Sequence, residues 1–442
     1  MAVVQPRPTI VHGPAPVPAG EITAERYVSS DWLADEADRL WPEVWFFACL
    51  VGDVATPGDF VAVEIGRESI IVTGTDDGVA AMFNVCQHRG ARIAKGHGHT
   101  EMLTCPYHGW RYRPDGRLVV VPENQLFPGG VDRARCSLPR LRAEVVGAMV
   151  FVTMSDELPP VREWLGGVAE RIEPYHVERM RLIGDQTVHL DCNWKAVFDN
   201  FGELYHVEHI HPQHQELFDC PTAQVELFAN GHTGVVIEGH TVNSRMDIPT
   251  MPTVYQKMSL ERFGGDPAEY EGRILDVRGD IQKLKRDRGA AYGYDYSEMS
   301  DERLSDIEQY NLFPNTMITV LPDDVLIARA RPHPSDPNRC LWDKFTLVRD
   351  PDPAVAAAAG VPYEGRTDVD RDRPRPEHDE FTHEDVIAGR KTMAMTIDQD
   401  IHYIRDIQAG MHSRGFNHAV LNVEEARIQH YHDWLDHTMG VR

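Results

Sequence analysis

Two short cysteine-histidine pairs constrain the fold of this chain more than any other feature. The first pair is Cys86 and His88, in CQHRG, and the second is Cys105 and His108, in CPYHGW. Two thiolates and two imidazoles can bind a two-iron cluster, with both sulfurs on one iron and both rings on the other, or a single tetrahedral Zn²⁺. The chain must therefore fold so that two loops meet around a metal group.

The mixed composition of each pair favours the two-iron cluster. Zinc knuckles typically pair cysteine with cysteine and histidine with histidine, although a structural zinc site stays open as the alternative. Neutral imidazoles in place of two thiolates leave a cluster less negative, which raises its reduction potential. The pairs therefore indicate electron transfer.

The residues that follow these ligands carry a family resemblance. Arg89-Gly90 follows His88, and Gly109-Trp110 follows His108, so that the two segments resemble the CxHRG and CxxHGW motifs of Rieske proteins. The resemblance implies a [2Fe–2S] cluster held by Cys86, His88, Cys105 and His108.

Composition and charge narrow the class of protein. The chain has 442 residues, enough for two packed domains, and a formal net charge of −25, which argues against a nucleic-acid partner. Its N-terminus lacks a signal-peptide pattern, and no stretch approaches the ~20 apolar residues that span a bilayer. The other five cysteines are scattered without framework spacing. We therefore expect a cytoplasmic protein that does not bind membranes.

The stretch around the cysteine-histidine pairs has the opposite charge to the whole chain. Residues 86–117 contain six basic and two acidic side chains, a balance of +4. A basic surface beside a redox centre could steer an acidic electron donor, and a plain solvated loop surface is the alternative.

Local patterns predict an α+β protein. We expect an N-terminal arm and helix over 1–41, an all-β iron–sulfur domain over 42–155, and a second domain of antiparallel sheet and helices over 156–442. Apolar runs predict strands at 60–65, 69–73, 79–85 and 145–154. The segments near 255–310 and 350–385, rich in charge, Gly or Pro, are predicted to be insertions or loops.

A second group of possible ligands lies in NWKAVFDNFGELYHVEHIHPQH, residues 193–214. Glu203 and His206 share a helix face, whereas His206 and His211 lie five residues apart and converge only if the helix distorts or ends. Pro212 disfavours the helical conformation at His211, so we predict a helix end there. His209 is the alternative second histidine on a regular helix. Two histidines and one carboxylate are a common ligand set for redox-active non-haem Fe(II).

This segment carries a second resemblance. The pattern N-W-K, followed by D-N-x-x-E-x-Y-H-x(4)-H, resembles the catalytic domain of Rieske non-haem iron ring-hydroxylating oxygenases. It implies His206 and His211 as iron ligands and Glu203 as an acidic bridge towards a cluster histidine. The family's distal aspartate implies Asp400, eight residues before Gln408, as the third ligand, with Asp398 as its rival.

The resemblance also implies an activity. We expect the terminal oxygenase component, the catalytic alpha subunit, of a multicomponent Rieske dioxygenase of aromatic hydrocarbon catabolism. It would activate O₂ at Fe(II) to hydroxylate an aromatic or hydrophobic cyclic substrate. A monooxygenase that performs O- or N-demethylation or a single hydroxylation is the alternative, and an electron carrier without catalysis is a third.

The same resemblance implies the partners of the chain. Electrons would come from NAD(P)H through a reductase, with or without a ferredoxin. The chain would form a homotrimer, with or without a small β subunit, in which Glu203 couples His206 of one chain to His108 of another.

Overall fold

A computed structural model describes residues 7–16, 20–352, 354–355, 358 and 375–441. Its strands are β1 Ile10–His12, β2 Phe46–Leu50, β3 Asp59–Ile65, β4 Glu68–Thr75, β5 Gly78–Phe83, β6 His97–His99, β7 Leu103–Thr104, β8 Arg111–Tyr112, β9 Leu118–Val120, β10 Arg140–Val146, β11 Met149–Thr153, β12 Arg181–Leu190, β13 Gln224–Phe228, β14 Thr233–Ile237, β15 Ile307–Leu312, β16 Thr316–Val320, β17 Asp324–Pro332, β18 Cys340–Val348 and β19 Asp379–Thr382. Its α-helices are α1 Glu25–Val28, α2 Ser30–Asp35, α3 Val161–Leu165, α4 Gly167–Ile172, α5 Trp194–Asn200, α6 Val207–Ile210, α7 Val254–Arg262, α8 Val277–Arg288, α9 His383–Ile387, α10 Met395–Met411 and α11 Ala426–Met439.

The first half of the chain is built from β-structure. A seven-stranded sheet has the order β2-β11-β10-β5-β4-β3-β6, and a small sheet β7-β8-β9 carries the second cysteine-histidine pair at the end of β7. The strands predicted at 60–65, 69–73 and 79–85 correspond to β3, β4 and β5. The single strand predicted at 145–154 is wrong: Gly147, with a φ of +57°, turns the chain, so that β10 and β11 form a hairpin.

The second half forms a nine-stranded sheet in the order β1-β13-β14-β15-β16-β17-β18-β12-β19. Its central pairs are antiparallel as expected, but the two edge pairs, β1 with β13 and β12 with β19, are parallel. Strand β1 comes from the N-terminal arm, which the sequence does not reveal as a strand because its three residues are too short to show an alternating pattern. The all-β first half and the sheet-and-helix second half confirm the predicted fold class.

The predicted insertion near 255–310 contains regular structure rather than loops alone. It contains α7 and α8, and at Ile307 the chain enters β15. Thr253 caps α7 through its side chain, and Gln256 completes the capping box. The other predicted insertion, near 350–385, lies largely outside the described residues.

The two sheets are joined by a buried arginine. Arg329 of β17 donates hydrogen bonds from Nη1 to the carbonyls of Phe47 (2.8 Å) and Ala48 (2.5 Å) in β2, and its Nη2 lies 2.6 Å from Asp343 of β18. Phe47 also meets Phe345 edge to face, with ring centroids 5.7 Å apart. Residues of both sheets therefore share one hydrophobic core.

In the described part of the chain, no helix is both long and apolar enough to cross a membrane.

Candidate metal centres

The two cysteine-histidine loops have the same backbone geometry. Gly90 donates its N–H to the carbonyl of Cys86 (2.9 Å), and Gly109 donates to the carbonyl of Cys105 (3.1 Å). Both glycines have positive φ, +79° and +70°, a conformation that residues with a Cβ rarely adopt. Each loop therefore turns back on itself just after its histidine, and this turn explains why glycine stands there.

The four side chains are arranged as two pairs rather than as one tetrahedron. His88 Nδ1 and His108 Nδ1 face each other at 3.1 Å, and both sulfurs are buried behind them. Among the described residues, the only group of three or more side chains whose ligand atoms lie within 4.8 Å of one another is found elsewhere. A single Zn²⁺ does not fit, because four ligands at 2.0–2.3 Å would all lie within about 4 Å of one another. A two-iron cluster, with an imidazole pair and a thiolate pair, fits.

Aromatic side chains pack around this site. His88 stacks on Trp110 with ring centroids 5.0 Å apart, and Tyr112 OH lies 3.2 Å from Cys86 Sγ. At the exposed tip, Arg89 donates a hydrogen bond to Tyr107 OH (2.6 Å), beside the His108 ring. The sulfur end is thus enclosed, while the half-buried histidine end faces outward.

Tyr112→Phe is expected to lower the reduction potential of the cluster. The reduced cluster carries one more negative charge, so it gains more than the oxidised cluster from a hydrogen bond to a sulfur ligand. If the hydrogen bond stabilises the reduced cluster by about 1 kcal/mol more than the oxidised one, the reduction potential shifts by roughly 40 mV for one electron. Redox titration followed by EPR measures the shift. An unchanged potential would show that Tyr112 does not donate to the sulfur in the loaded protein.

The second centre is built on the short helix α6. His206 precedes its first residue, and the helix ends at His211, whose φ of −120° and ψ of 59° leave the helical region. The helix end predicted from Pro212 is therefore confirmed. Because the helix stops there, the two imidazoles turn towards each other, with ring centroids 5.2 Å apart.

Asp400, on α10, completes a group of three possible metal ligands. Its Oδ1 lies 2.9 Å from His211 Nε2 and 3.6 Å from His206 Nε2. This oxygen is buried, and it has no hydrogen-bond partner among the described residues. Buried polar atoms are normally satisfied, so an oxygen left without a partner beside two imidazole nitrogens fits a bound cation.

The opposite nitrogen of each imidazole is occupied by a hydrogen bond. His206 Nδ1 contacts Glu203 Oε1, and His211 Nδ1 donates to Gln399 Oε1 at 2.8 Å. A donating Nδ1 leaves Nε2 as the lone-pair nitrogen, which is the form that binds a metal. Two imidazoles and one carboxylate oriented in this way suit non-haem Fe(II).

The alternative ligands lie outside this group. Asp398 accepts hydrogen bonds from Thr392 Oγ1 (2.5 Å) and from the N–H of Met393 (2.7 Å), so its carboxylate stabilises the turn before α10. His209 is exposed and is not one of the three grouped side chains.

Electrostatics at this centre favour a positively charged group near Glu203 and Asp400. Although burial lowers the pKa of His206, the hydrogen bond and charge of Glu203 and the charge of Asp400 together raise it. Burial and the neighbouring His211 lower the pKa of His214 to about 4, and its Nε2 contacts Thr396 Oγ1 at 2.9 Å. His214 therefore stays neutral near pH 7 beside the three-ligand group.

Sequence reasoning did not identify Gln399 or Tyr112. Gln399 stands between the two rival aspartates, where it orients His211 (2.8 Å) and accepts a hydrogen bond from Gln213 Nε2 (2.7 Å). Its position next to Asp400 was the available signal. Tyr112 gave no signal, because only the folding of β8 brings its hydroxyl to Cys86.

Two family models match separate stretches of the chain. Residues 44–129 match the Rieske [2Fe-2S] domain, and residues 177–440 match the ring hydroxylating alpha subunit (catalytic domain). The cofactors are accordingly a [2Fe–2S] cluster and a mononuclear non-haem iron.

Individual proteins match a smaller part of the chain than the two family models do. The chain is 29% identical to the glycine betaine monooxygenase oxygenase subunit of Chromohalobacter salexigens. The alignment covers 183 residues, which are 41% of this chain and 41% of the relative. It is 31% identical over 193 residues to the large oxygenase component of the 2,4-dinitrotoluene dioxygenase system of a Burkholderia species, which is 42% of this chain and 43% of the relative. The aligned segments thus span less than half of the relatives' lengths.

The fold is also found in a solved structure. A quaternary ammonium Rieske monooxygenase in complex with L-carnitine superposes with a TM-score of 0.65 over 95% of this chain and 96% of that one, at 17% identity. At this identity the likeness concerns the fold alone. Because the catalytic-domain match covers more than half of the residues, the chain belongs to the family of ring-hydroxylating oxygenase alpha subunits, with a Rieske [2Fe–2S] domain preceding the catalytic domain.

Proposed function

We propose that this protein is an oxygenase that activates O₂ at an Fe(II) held by His206, His211 and Asp400. The observation that carries the proposal is the buried Asp400 Oδ1, which has no hydrogen-bond partner in the described chain and lies beside two imidazole Nε2 atoms. When bound, Fe(II) in a site with three protein ligands supplies open positions for O₂.

The protein side chains set the conditions for this chemistry. Glu203 and Gln399 hold the two imidazoles in the tautomer that leaves Nε2 free for the metal. The three ligating side chains are mostly buried, so that bulk water has limited access to the centre. The cluster held by Cys86, His88, Cys105 and His108 would supply electrons one at a time.

Electron delivery would use Glu203 as a bridge between subunits. Its carboxylate already contacts His206 Nδ1, and a neighbouring copy would bring the outward-facing His108 against it in a homotrimer. A reductase, with or without a ferredoxin, would reduce the cluster.

Iron analysis tests this function. Anaerobically reduced protein exposed to nitric oxide is expected to show a Rieske EPR signal and an Fe–NO signal, with about three irons per chain. An electron carrier would hold about two irons and show no Fe–NO signal.

Two substrate classes are candidates. The family resemblance favours an aromatic or hydrophobic cyclic compound, and one relative is a 2,4-dinitrotoluene dioxygenase component. Other relatives are oxygenase subunits of glycine betaine and carnitine monooxygenases, which favours a quaternary ammonium compound and a single oxygen insertion. A panel of glycine betaine, carnitine, naphthalene and 2,4-dinitrotoluene separates them. Substrate-dependent oxygen uptake and a demethylated product would select the second class, and a dihydrodiol would select the first.

The basic surface near the cluster is proposed to receive an acidic electron donor. Lys95, Arg111 and Arg113 are exposed and have no ion-pair partner among the described residues, whereas Arg92 and Arg117 are paired with Glu64 and Asp115. Arg111 lies opposite Thr104, next to Cys105. Three unpaired cations beside a redox centre favour encounter with an acidic protein.

Charge reversal at Arg111 and Arg113 is expected to slow cluster reduction by a plant-type [2Fe–2S] ferredoxin about tenfold or more at low salt, and less at high salt. Stopped-flow absorbance measures the rate, and dithionite reduction should not change. Lys283→Glu with Arg414→Glu makes the same charge change in the catalytic half and serves as the control. Equal slowing in both double variants would contradict a specific docking surface.

A further inference from the structure

A cavity of about 280 Å³ lies next to the mononuclear centre, on the side of Glu203. Its walls are mainly apolar and include Leu204, Val225 and Val235, while Glu203 and Arg427 are among its few charged lining residues. Glu203 contacts the Nδ1 side of His206, opposite the Nε2 side that faces Asp400. The cavity is therefore separate from the position of the iron.

Arg427, in the first turn of α11, is a buried cation without a carboxylate partner in direct contact. Only 1% of the residue is exposed. It donates hydrogen bonds from Nε to Thr233 Oγ1 (3.0 Å) and from Nη2 to Gln309 Oε1, and both acceptors are neutral. Its Nη1 has no hydrogen-bond partner among the described residues. Buried charges are normally paired, so this arginine needs an electrostatic partner.

Glu203 is the carboxylate whose negative charge most stabilises the charged form of Arg427. Burial lowers the pKa of Arg427 to about 9, and the charge of Glu203 opposes this effect more than any other group does. The two side chains line the same cavity, whose volume has room for several water molecules. The interaction therefore acts through space or through bridging water.

The other charged groups near Glu203 are mostly negative. Glu424 and Glu425 lie immediately before α11, and burial raises the pKa of each, with a further rise from the charge of Glu203. Two other cations already have carboxylate partners: Arg245 lies 2.8 Å from Glu208 and 3.5 Å from Glu424, and Arg7, which also lines the cavity, lies 2.6 Å from Glu238. A carboxylate in this position is repelled by its neighbours unless a nearby cation offsets them.

We propose that Arg427 is a positioning residue that holds the Glu203 carboxylate against His206 across this cavity. The inference rests on the proposed function, because it assigns Arg427 a role through the carboxylate that orients an iron ligand and bridges to the cluster. Without the guanidinium, Glu203 would lose the one lining cation that has no carboxylate in direct contact, and repulsion from Glu424 and Glu425 would weaken its hydrogen bond to His206. Groups that orient a ligating imidazole affect both ligand geometry and activity.

The test compares variants in the iron-loaded holoenzyme. Arg427→Gln removes the charge, Arg427→Met removes it without adding a polar group, and Arg427→Lys keeps it. In a single turnover of the reduced protein with O₂ and substrate, cluster reoxidation in the Gln and Met variants is expected to slow about 10- to 100-fold, with a changed Fe–NO EPR signal. The Lys variant is expected to recover most of the rate and the wild-type signal.

A double-mutant cycle with Glu203→Gln separates this role from general destabilisation. If Arg427 acts through Glu203, then Arg427→Gln adds little further loss once Glu203 is replaced. Asp436→Asn is the control, because it breaks a buried ion pair on the same helix, to Arg26 (2.6 Å), and Asp436 does not line the cavity. That variant is expected to lower the melting temperature without changing the Fe–NO signal.

Several results would overturn the proposal. These are an unchanged rate in both charge-removing variants, an equal loss in the Lys and Gln variants, or additive effects in the cycle. If Arg427→Gln fails to fold, the Met and Lys variants decide between the same outcomes. Failure of the proposed function is distinct, because the wild-type protein would then lack the Fe–NO signal altogether.

Discussion

Replacing Asp400 with alanine is expected to empty the mononuclear iron site and leave the cluster intact. Its Oδ1 is the carboxylate oxygen that lies beside both imidazole Nε2 atoms, and two histidines alone form a weak site for Fe(II). Iron should fall from about three to about two per chain, with the Rieske EPR signal kept and the Fe–NO signal lost. Substrate-dependent oxygen uptake should disappear.

Asp398→Ala is the matched control for this substitution. Asp398 lies two residues away and binds Thr392 and the Met393 N–H, so its loss should lower the melting temperature while iron stays near three per chain. If Asp398→Ala loses the third iron and Asp400→Ala keeps it, the ligand assignment is wrong.

Glu203→Gln is expected to retain both metal centres and lose most turnover. The amide keeps the size of the side chain, but it lacks the negative charge that stabilises a donating His206 Nδ1 and that would bridge to a cluster histidine. Iron content and the Rieske EPR signal should stay near wild type, and the Fe–NO signal should be present but altered, while kcat falls by about 100-fold. Rapid-mixing measurement of cluster reoxidation should locate the loss in electron transfer.

Glu208→Gln provides the comparison for the loss at Glu203. Glu208 lies in α6, five residues after Glu203, but it binds Arg245 and Asn243 rather than a possible metal ligand. Its substitution should change stability more than turnover. Wild-type rates in Glu203→Gln, or an equal loss in Glu208→Gln, would remove the bridging role from Glu203.

The sequence by itself determined those features that depend on neighbouring residues. The Cys-His loops and the glycines after them lie within a few residues of each other, and Pro212 ends α6 at His211 through a local steric effect. A short segment of the sequence contains all the residues that such a constraint involves. The fold class followed for the same reason, because alternating apolar runs predict strands locally.

Only the tertiary structure decided the features that depend on distant contacts. The sequence favours Asp400 only through a family resemblance and leaves Asp398 as its rival, whereas the packing of α10 brings Asp400 to the two histidines. The same packing brings Gln399 to His211, 188 residues away along the chain. Strand β1, the hydroxyl of Tyr112 and the guanidinium of Arg427 likewise gain their contacts from chain folding. A one-dimensional pattern records which groups are available, whereas long-range packing determines which of them meet.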